Sequence, residues 1–343
     1  MDPKIDFVVT WLDSSDPVWQ KEYVKYKNEQ SKTSDSSAAR YRDWNLFRYW
    51  FRAVENYAPW VNKVFLVTNG TFPDWINENH PKLVLVKHSD YIPSQYLPTF
   101  NSHTIELHMN KIPGLSEHFV YFNDDCFLNA PVTPAYYFRE GLPCDCNAEN
   151  IFNVPIYTKD TGFFTFIVRY TNIAVLNGHF KRNNTLKGNF KRWYGSHLGL
   201  KSWVMGRIIS FDRHNRFVGF ISRHFEQPFL KSVIDEAWEK EPDMLNNSCT
   251  RFRENISLNP YFFRYWQFAT NKFYPVTLEH ARKYVVNHKE YQLIINALRN
   301  KNIWSICAND STWCTDEEFS LLQPQIQEEF ERKFPVKSSF EKN

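Results

Sequence analysis

The sequence predicts an α/β fold: a mostly parallel sheet with flanking helices, followed by a more helical C-terminal part. Three observations predict it. Short β-rich apolar runs alternate with stretches of helical periodicity between residues 5 and 125, the pattern of βαβ units whose sheet is covered on both faces. The strand-like runs stop abruptly at Asn, Asp or Ser. Beyond residue 150 most of the patterned segments have helical length.

Residues 5–11 (IDFVVTW) form the first run and end in the turn cluster Leu12-Asp13-Ser14-Ser15-Asp16-Pro17. The polar stretch 28–39 is low in complexity and reads as a mobile loop. From Asp43 onward, Trp44, Phe47, Trp50, Phe51, Val54 and Tyr57 recur at helical spacing until Pro59 stops the pattern. Strands follow at 63–68, halted by Asn69-Gly70, and at 83–87, ending in His88-Ser89-Asp90. Asn101-Ser102 begins a capped helix carrying Ile105, His108, Met109 and Ile112. A fourth strand, 118–122 (HFVYF), stops at Asn123-Asp124-Asp125. In the second half, strands are expected at 163–169 and 217–222, then helices near 229–240, 259–270 and 289–299. A strand at 303–307 (IWSIC) closes in Ala308-Asn309-Asp310, and a charged helix from Asp316 runs into a frayed tail over 336–343.

Composition excludes several classes. The 343 residues are 43% hydrophobic and 17% aromatic, enough for a large core and too much for a disordered or collagen-like chain. Basic residues number 41 against 38 acidic, a net charge of +3 that leaves no general footprint for nucleic acid. No apolar run reaches the roughly 18–20 residues of a membrane span. Residues 1–12 lack a signal-peptide pattern, so a cytoplasmic protein is expected. The six cysteines suit a reducing compartment. Cys144-Asp145-Cys146 is too tight for a paired zinc knuckle.

No G-x-G-x-x-G or G-x-x-x-x-G-K-[ST] is present, and neither is G-x-S-x-G or H-E-x-x-H. Any phosphate chemistry must therefore come from side chains, a metal or helix ends. In parallel sheets ligands sit beyond the carboxyl ends of the strands. Here those ends carry Asp13, Asp16, Asn69, Ser89, Asp90 and Asn123-Asp124-Asp125. Loops are polar in any protein, but so many acidic or amide-bearing ends in one sheet tilt the reading towards a site. Asn123-Asp124-Asp125 offers hard oxygen donors that suit Mg²⁺ or Mn²⁺; an ordinary capped turn is the plainer alternative. Asn309-Asp310 strengthens the metal reading as a second such strand end. Arg40, Arg42, Arg48 and Arg52 crowd one helix start, and Arg251 and Arg253 flank Phe252, residues suited to phosphate yet more often found on solvated faces. His224 sits where a general base could stand. Unaided, these residues reach metal-dependent phosphate chemistry on an α/β sheet and go no further.

Longer segments add a resemblance. IDFVVTWLDSSDP (5–17) resembles the first conserved block of the Stealth family. RYRDWNLFRYWFRAVENYAPWVNKVFLVTNG (40–70) and LPTFNSHTIELHMNKIPGLSEHFVYFNDDCFL (97–128) resemble its second block. GFISRHFEQPFLKS (219–232) and the stretch from Arg251 to Asp310 match the third and fourth more loosely. The resemblance implies a glycosyltransferase-A-like nucleotide-sugar fold. Residues 1–150 would form a nucleotide-sugar and metal-binding half, and 151–335 would complete the same catalytic domain. It also implies transfer of a hexose-1-phosphate from a UDP-sugar to a glycan hydroxyl, releasing UMP, in capsule or cell-wall polysaccharide synthesis, with Mg²⁺ or Mn²⁺ as cofactor. The acceptor would be lipid-linked, with a peripheral membrane contact through the aromatic and basic segment 180–204.

Carried over position by position, the resemblance puts Asp13, Asp16, Asp43, Arg48, Asn69, Asn101 and Ser102 around the nucleotide. Asp124, Asp125, Asn309 and Asp310 would hold the metal. His224 would be the base for the acceptor hydroxyl, and Arg253 would hold the transferred phosphate. Two departures stand out. Ser14 replaces a common Gly, and four positions separate His224 from Pro228 where the family often reads His-x-Pro. Two rivals remain: a metal-dependent glycosyltransferase releasing UDP, and a non-catalytic glycan-binding protein.

Overall fold

The computed structural model describes residues 3–29, 42–150, 161–195, 199–211, 213–221, 224–277, 279–310 and 314–342. The loop expected at 28–39 falls outside these apart from its first two positions. Four strands carry the first half: β1 (Ile5–Thr10), β2 (Val64–Thr68), β3 (Leu83–Lys87) and β4 (His118–Phe122). The chain then runs through β5 (Cys126–Leu128), β6 (Phe138–Arg139) and β7 (Leu142–Asp145) and returns at β8 (Gln227–Leu230). It finishes with β9 (Tyr274–Pro275), β10 (Ala281–Val285) and β11 (Ser305–Asn309). The large sheet has the order β3-β2-β1-β4-β8. Its first four strands are parallel, and β8 joins β4 antiparallel at the edge. Smaller sheets are β10-β11-β5 and β6-β7-β9.

Burial explains the strands that the apolar runs predict. β2 is buried along its whole length and β1 from Ile5 to Val9, so helices must cover both faces. Asp6, wholly buried in β1, accepts hydrogen bonds from Asn62 Nδ2 (2.6 Å), the Lys63 N–H (3.1 Å) and the Ser116 N–H (2.8 Å), which satisfies the carboxylate. The order reverses beside β1, with β2 on one side and β4 on the other. A crevice at this switch point opens at the carboxyl ends of β1 and β4.

In the first half the helices are α1 (Pro17–Glu29), α2 (Phe47–Tyr57), α3 (Ser102–Leu107) and α4 (Pro134–Tyr137). α2 begins later than its periodicity suggests. Asn45 takes a left-handed conformation (φ 55°), and Asp43 Oδ1 accepts its N–H at 2.7 Å. α2 packs Trp50 on Phe122 of β4 (5.3 Å), which also meets Phe7 of β1 (4.9 Å).

The second half contains α5 (Thr161–His179), α6 (Arg182–Leu186), α7 (Phe190–Trp193), α8 (Gly199–Ser210), α9 (Lys231–Lys240), α10 (Pro242–Ser248), α11 (Tyr261–Ala269), α12 (Tyr291–Arg299) and α13 (Asp316–Lys333). Two expected strands are corrected. Residues 163–169 belong to α5, where burial recurs at Phe164, Val168, Asn172 and Leu176, a four-residue period that marks a helix face. Residues 217–221 form no strand, and Phe220 makes one isolated bridge to Glu149. Strand β8 precedes α9, where the sequence suggests helix from 229; its Pro228 is tolerated at a sheet edge.

The expected frayed tail is also corrected. Ser338, Phe340 and Glu341 are buried. Arg52 of α2 donates from Nε to Glu341 Oε1 (2.8 Å) and from Nη2 to Glu341 Oε2 (3.0 Å). One hydrophobic core thus extends from Ile5 to Phe340.

A candidate active site beyond β1 and β4

The switch point opens into a cavity of about 580 Å³. Its walls come from distant parts of the chain: Thr10 and Trp11 after β1, Asp43, Ser102 and Glu106 of α3, the 123–125 turn, Arg169 of α5, His224, Arg253, Lys283, Asn309 and Asp310. The 123–125 turn is positioned from both sides, because β4 lies in the large sheet and β5 in the β10-β11-β5 sheet.

Asp125 is the focus. Its Oδ2 lies 3.3 Å from His224 Nε2 and accepts from Asn309 Nδ2 at 2.9 Å. The Cys126 thiol donates to Oδ1 (3.3 Å) and the Cys307 thiol to Oδ2 (3.4 Å). Burial works against its charge. The electrostatic attraction of His224 and the hydrogen bonds from His224, Asn309 and Cys126 outweigh that, and hold the Asp125 carboxyl well below the usual carboxylate range. Asp124 behaves in the opposite way. It is exposed to the cavity, yet the surrounding protein, and then the charges of Asp125 and Asp43, push its carboxyl up to about 7. Asp43 is raised as well, by burial first, with Asp13 adding repulsion.

Arg253 lines the same cavity and donates from Nη2 to Ser102 Oγ. Glu106, buried on α3, has its carboxyl raised by burial against the lowering influence of Arg253, Tyr121 and Ser102. The Tyr121 hydroxyl lies 3.1 Å from Glu106 Oε1 and 2.8 Å from Asn123 Oδ1. Asn123 Nδ2 lies 3.4 Å from His224 Nε2. A polar chain therefore runs from the arginine side of the cavity to the histidine.

Of the residues the sequence proposes, the cavity gathers Asp43, Ser102, Asp124, Asp125, His224, Arg253, Asn309 and Asp310. Asp310 is not turned towards Asp125: it accepts from Trp44 Nε1 (3.1 Å) and sits 3.6 Å from Arg42. The others have local tasks. Asp13 accepts from the N–H and hydroxyl of Ser15 (2.9 and 2.6 Å). Asp16 accepts from Thr71 Oγ1 (2.6 Å) and the Val18 N–H (2.8 Å). Asn69 Oδ1 lies 3.5 Å from the Thr71 N–H. Arg48 lies over Trp75 (5.9 Å). Asn101 is fully buried, capping α3 through the His103 N–H (3.1 Å) and donating to Thr250 Oγ1 (3.2 Å).

Sequence reasoning missed Glu106, Tyr121, Arg169 and Lys283. Glu106 had a signal, since it lies four positions after Ser102 on the same helix face. Arg169 was hidden by reading 163–169 as a strand; its Nε is buried with no hydrogen-bond partner. Nothing in the sequence singles out Lys283.

Residues 40–144 match the Stealth protein CR2 family, conserved region 2. The chain is 37% identical to the capsular polysaccharide phosphotransferase WcwK of Streptococcus pneumoniae, covering 99% of this chain and 98% of that protein. It is 38% identical to the receptor polysaccharide phosphotransferase WefC of Streptococcus oralis, over 98% and 99%. The exopolysaccharide phosphotransferase cps2G of Lactiplantibacillus plantarum is 36% identical over 98% and 96%. Among solved structures, the bifunctional glycosyltransferase WbbM is similar over 97% of this chain and 52% of that one (9% identity, TM-score 0.40). The galactosyltransferase LgtC is similar over 96% and 99% (10% identity, TM-score 0.34). These two structural likenesses are slight. The identity of 36–38% to the three phosphotransferases, over nearly the whole of each chain, is of another order, and with the matched conserved region it shows that the chain belongs to the Stealth family, alongside these bacterial polysaccharide phosphotransferases.

Proposed function

We propose that this chain transfers a hexose-1-phosphate from a UDP-sugar to a hydroxyl of a growing glycan, forming a phosphodiester and releasing UMP. The observation that carries the reading is one cavity lined both by the His224–Asp125 pair and by Arg253, which Ser102 steadies. The acceptor oxygen bonds to the β-phosphorus, the bridging Pβ–O bond breaks, and its electrons leave with UMP. The anomeric C–O bond is untouched. With Nε2–H donating to Asp125, the other imidazole nitrogen, Nδ1, is the one left to accept the hydroxyl proton, and Asp125 stabilises the imidazolium that results. Arg253 and Arg169 neutralise the phosphoryl oxygens.

Asp125 and Asp43 both lie close enough to Asp124 to repel its charge, a donor set that fits a hard dication. These three, with Asn309, are the residues that would hold Mg²⁺ or Mn²⁺. Asp310 would join only on leaving Arg42. When bound, such an ion would neutralise charge on the donor diphosphate.

The acceptor would be lipid-linked, and α8 suits the bilayer surface. Leu200, Trp203, Val204, Ile208 and Phe211 are exposed there. Lys181, Lys187, Lys191, Arg207, Arg213 and Arg216 are exposed around them. No Asp or Glu occurs between residues 161 and 211. No helix of the described residues is long and apolar enough to cross a membrane, so the contact would be peripheral, at the inner face of the membrane.

Identifying the nucleotide released from UDP-sugars with Mg²⁺ and a lipid-linked glycan tests the reaction. UMP is expected. UDP would establish a glycosyltransferase and overturn the bond assignment.

A further inference from the structure

Under the cavity floor, β5 and β11 run antiparallel with Cys126 directly opposite Cys307. Both are free thiols with no exposed surface. The reaction proposed above uses neither. Yet one ligand atom each from Asp125, Cys126, His224 and Cys307 lies within 4.8 Å of every other. The measured contacts to Asp125 are 3.3 Å from Cys126 Sγ, 3.4 Å from Cys307 Sγ and 3.3 Å from His224 Nε2. A tetrahedral ion with bonds of about 2.0 Å to nitrogen and oxygen and about 2.3 Å to sulfur has ligand–ligand edges of roughly 3.3–3.8 Å. The His224 and Cys307 contacts, both to Asp125 Oδ2, already have the length of such edges; Cys126 Sγ meets the neighbouring Oδ1, so a small rotation of the carboxylate brings it into the same shell. The donor types point the same way. Two sulfurs and an imidazole beside one carboxylate select a soft or borderline ion, whereas Mg²⁺ demands six oxygens.

We propose that Asp125, Cys126, His224 and Cys307 form a binding site for a soft divalent cation of the Zn²⁺ class, whose occupancy silences phosphotransfer by withdrawing His224 and Asp125. Binding displaces both thiol protons to solvent, leaving the metal with two thiolates, one carboxylate and one neutral imidazole. The binding rests on the donor geometry alone. The silencing rests also on the proposed roles of His224 and Asp125.

Co²⁺ is the probe, since it reports thiolate ligation and tetrahedral geometry by absorption. Titrating the metal-free full chain with Co²⁺ should give sulfur-to-cobalt charge-transfer absorption and strong visible bands that saturate at one equivalent. Stoichiometric Zn²⁺ should erase them, and excess Mg²⁺ should not. Cys126→Ser and Cys307→Ser should each weaken Co²⁺ binding by about 10-fold or more, and Cys249→Ser should leave the spectrum unchanged. Absence of sulfur bands in the native chain overturns the site. So do sulfur bands that survive in a folded Cys126→Ser/Cys307→Ser double variant; if that variant does not fold, the two single variants decide. Zn²⁺ that erases the cobalt bands at one equivalent and leaves turnover intact overturns the silencing and the base role of His224, with the site itself upheld.

Discussion

Four side chains converge on Asp125, and the residues around it divide into those that hold charge and those that lose it. His224 is the partner that the proposed chemistry needs most. His224→Gln should lower turnover roughly 100- to 10,000-fold, the usual worth of a positioned base, with donor affinity by calorimetry nearly unchanged; a loss confined to donor binding would deny it that role. Asp124 supplies a pH prediction. Its carboxyl is raised from 3.8 to about 7, so it holds a proton more tightly folded than unfolded. The resulting stability penalty is absent below pH 4, grows between about 4 and 7, and is constant above. Asp124→Asn mimics the protonated form. Its Tm should exceed the native value at pH 8, and the two should converge at pH 4. Added Mg²⁺ should narrow the gap at pH 8 by stabilising the native chain. Equal Tm values at pH 8 without metal would refute the crowding. At this scale the sequence pointed to strand ends that the fold brings into the cavity, as at Asp124, Asp125 and Asn309. It could not separate these from Asp13, Asp16 and Asn69, because a loop carboxylate or amide that bonds to neighbouring loop groups looks the same in sequence as one that lines a cavity.

Among the elements, α8 makes the clearest prediction. An exposed apolar face ringed by cations gains from acyl contact and from anionic headgroups together. The chain should sediment with phosphatidylglycerol vesicles and not with phosphatidylcholine, and salt should release it. Leu200→Glu with Phe211→Glu should abolish that sedimentation and leave UMP release with a soluble acceptor unchanged. Sedimentation that survives the double change would place the contact elsewhere. The parallel strands were legible because burial on both faces writes them as unbroken apolar runs. α5 was not, since its FFTFIVR stretch is aromatic and β-branched, and tertiary packing rather than propensity makes it helical. β8 escaped because Pro228 argues against a strand, and only its place at the edge makes it admissible.

Across the whole molecule, one ion pair fastens the two ends of the core. Arg52 and Glu341 are almost completely buried, with side-chain exposures of 4% and 3%. Arg52 Nη1 also pairs with Glu331 (3.0 Å) and donates to the Phe334 carbonyl (2.6 Å), so Glu341→Ala removes the bidentate buried partner without leaving the guanidinium bare and should cost about 1.5–3 kcal/mol. Denaturant unfolding measures this, and a cost below 1 kcal/mol would show that water reaches Arg52 once the tail is altered. The tail's composition gave no hint of docking, since a Lys, Ser and Glu stretch reads as solvated unless its distant partner is known. That partner lies 289 positions away. During synthesis α2 emerges long before residue 341 does, so Arg52 waits for its buried bidentate partner, and a product cut short by a premature stop before Ser338 keeps Glu331 but never receives Glu341. Such a fragment leaves Nε and Nη2 of the guanidinium inside the core without their carboxylate, which ties the packing of a helix made early to a segment made 289 positions later.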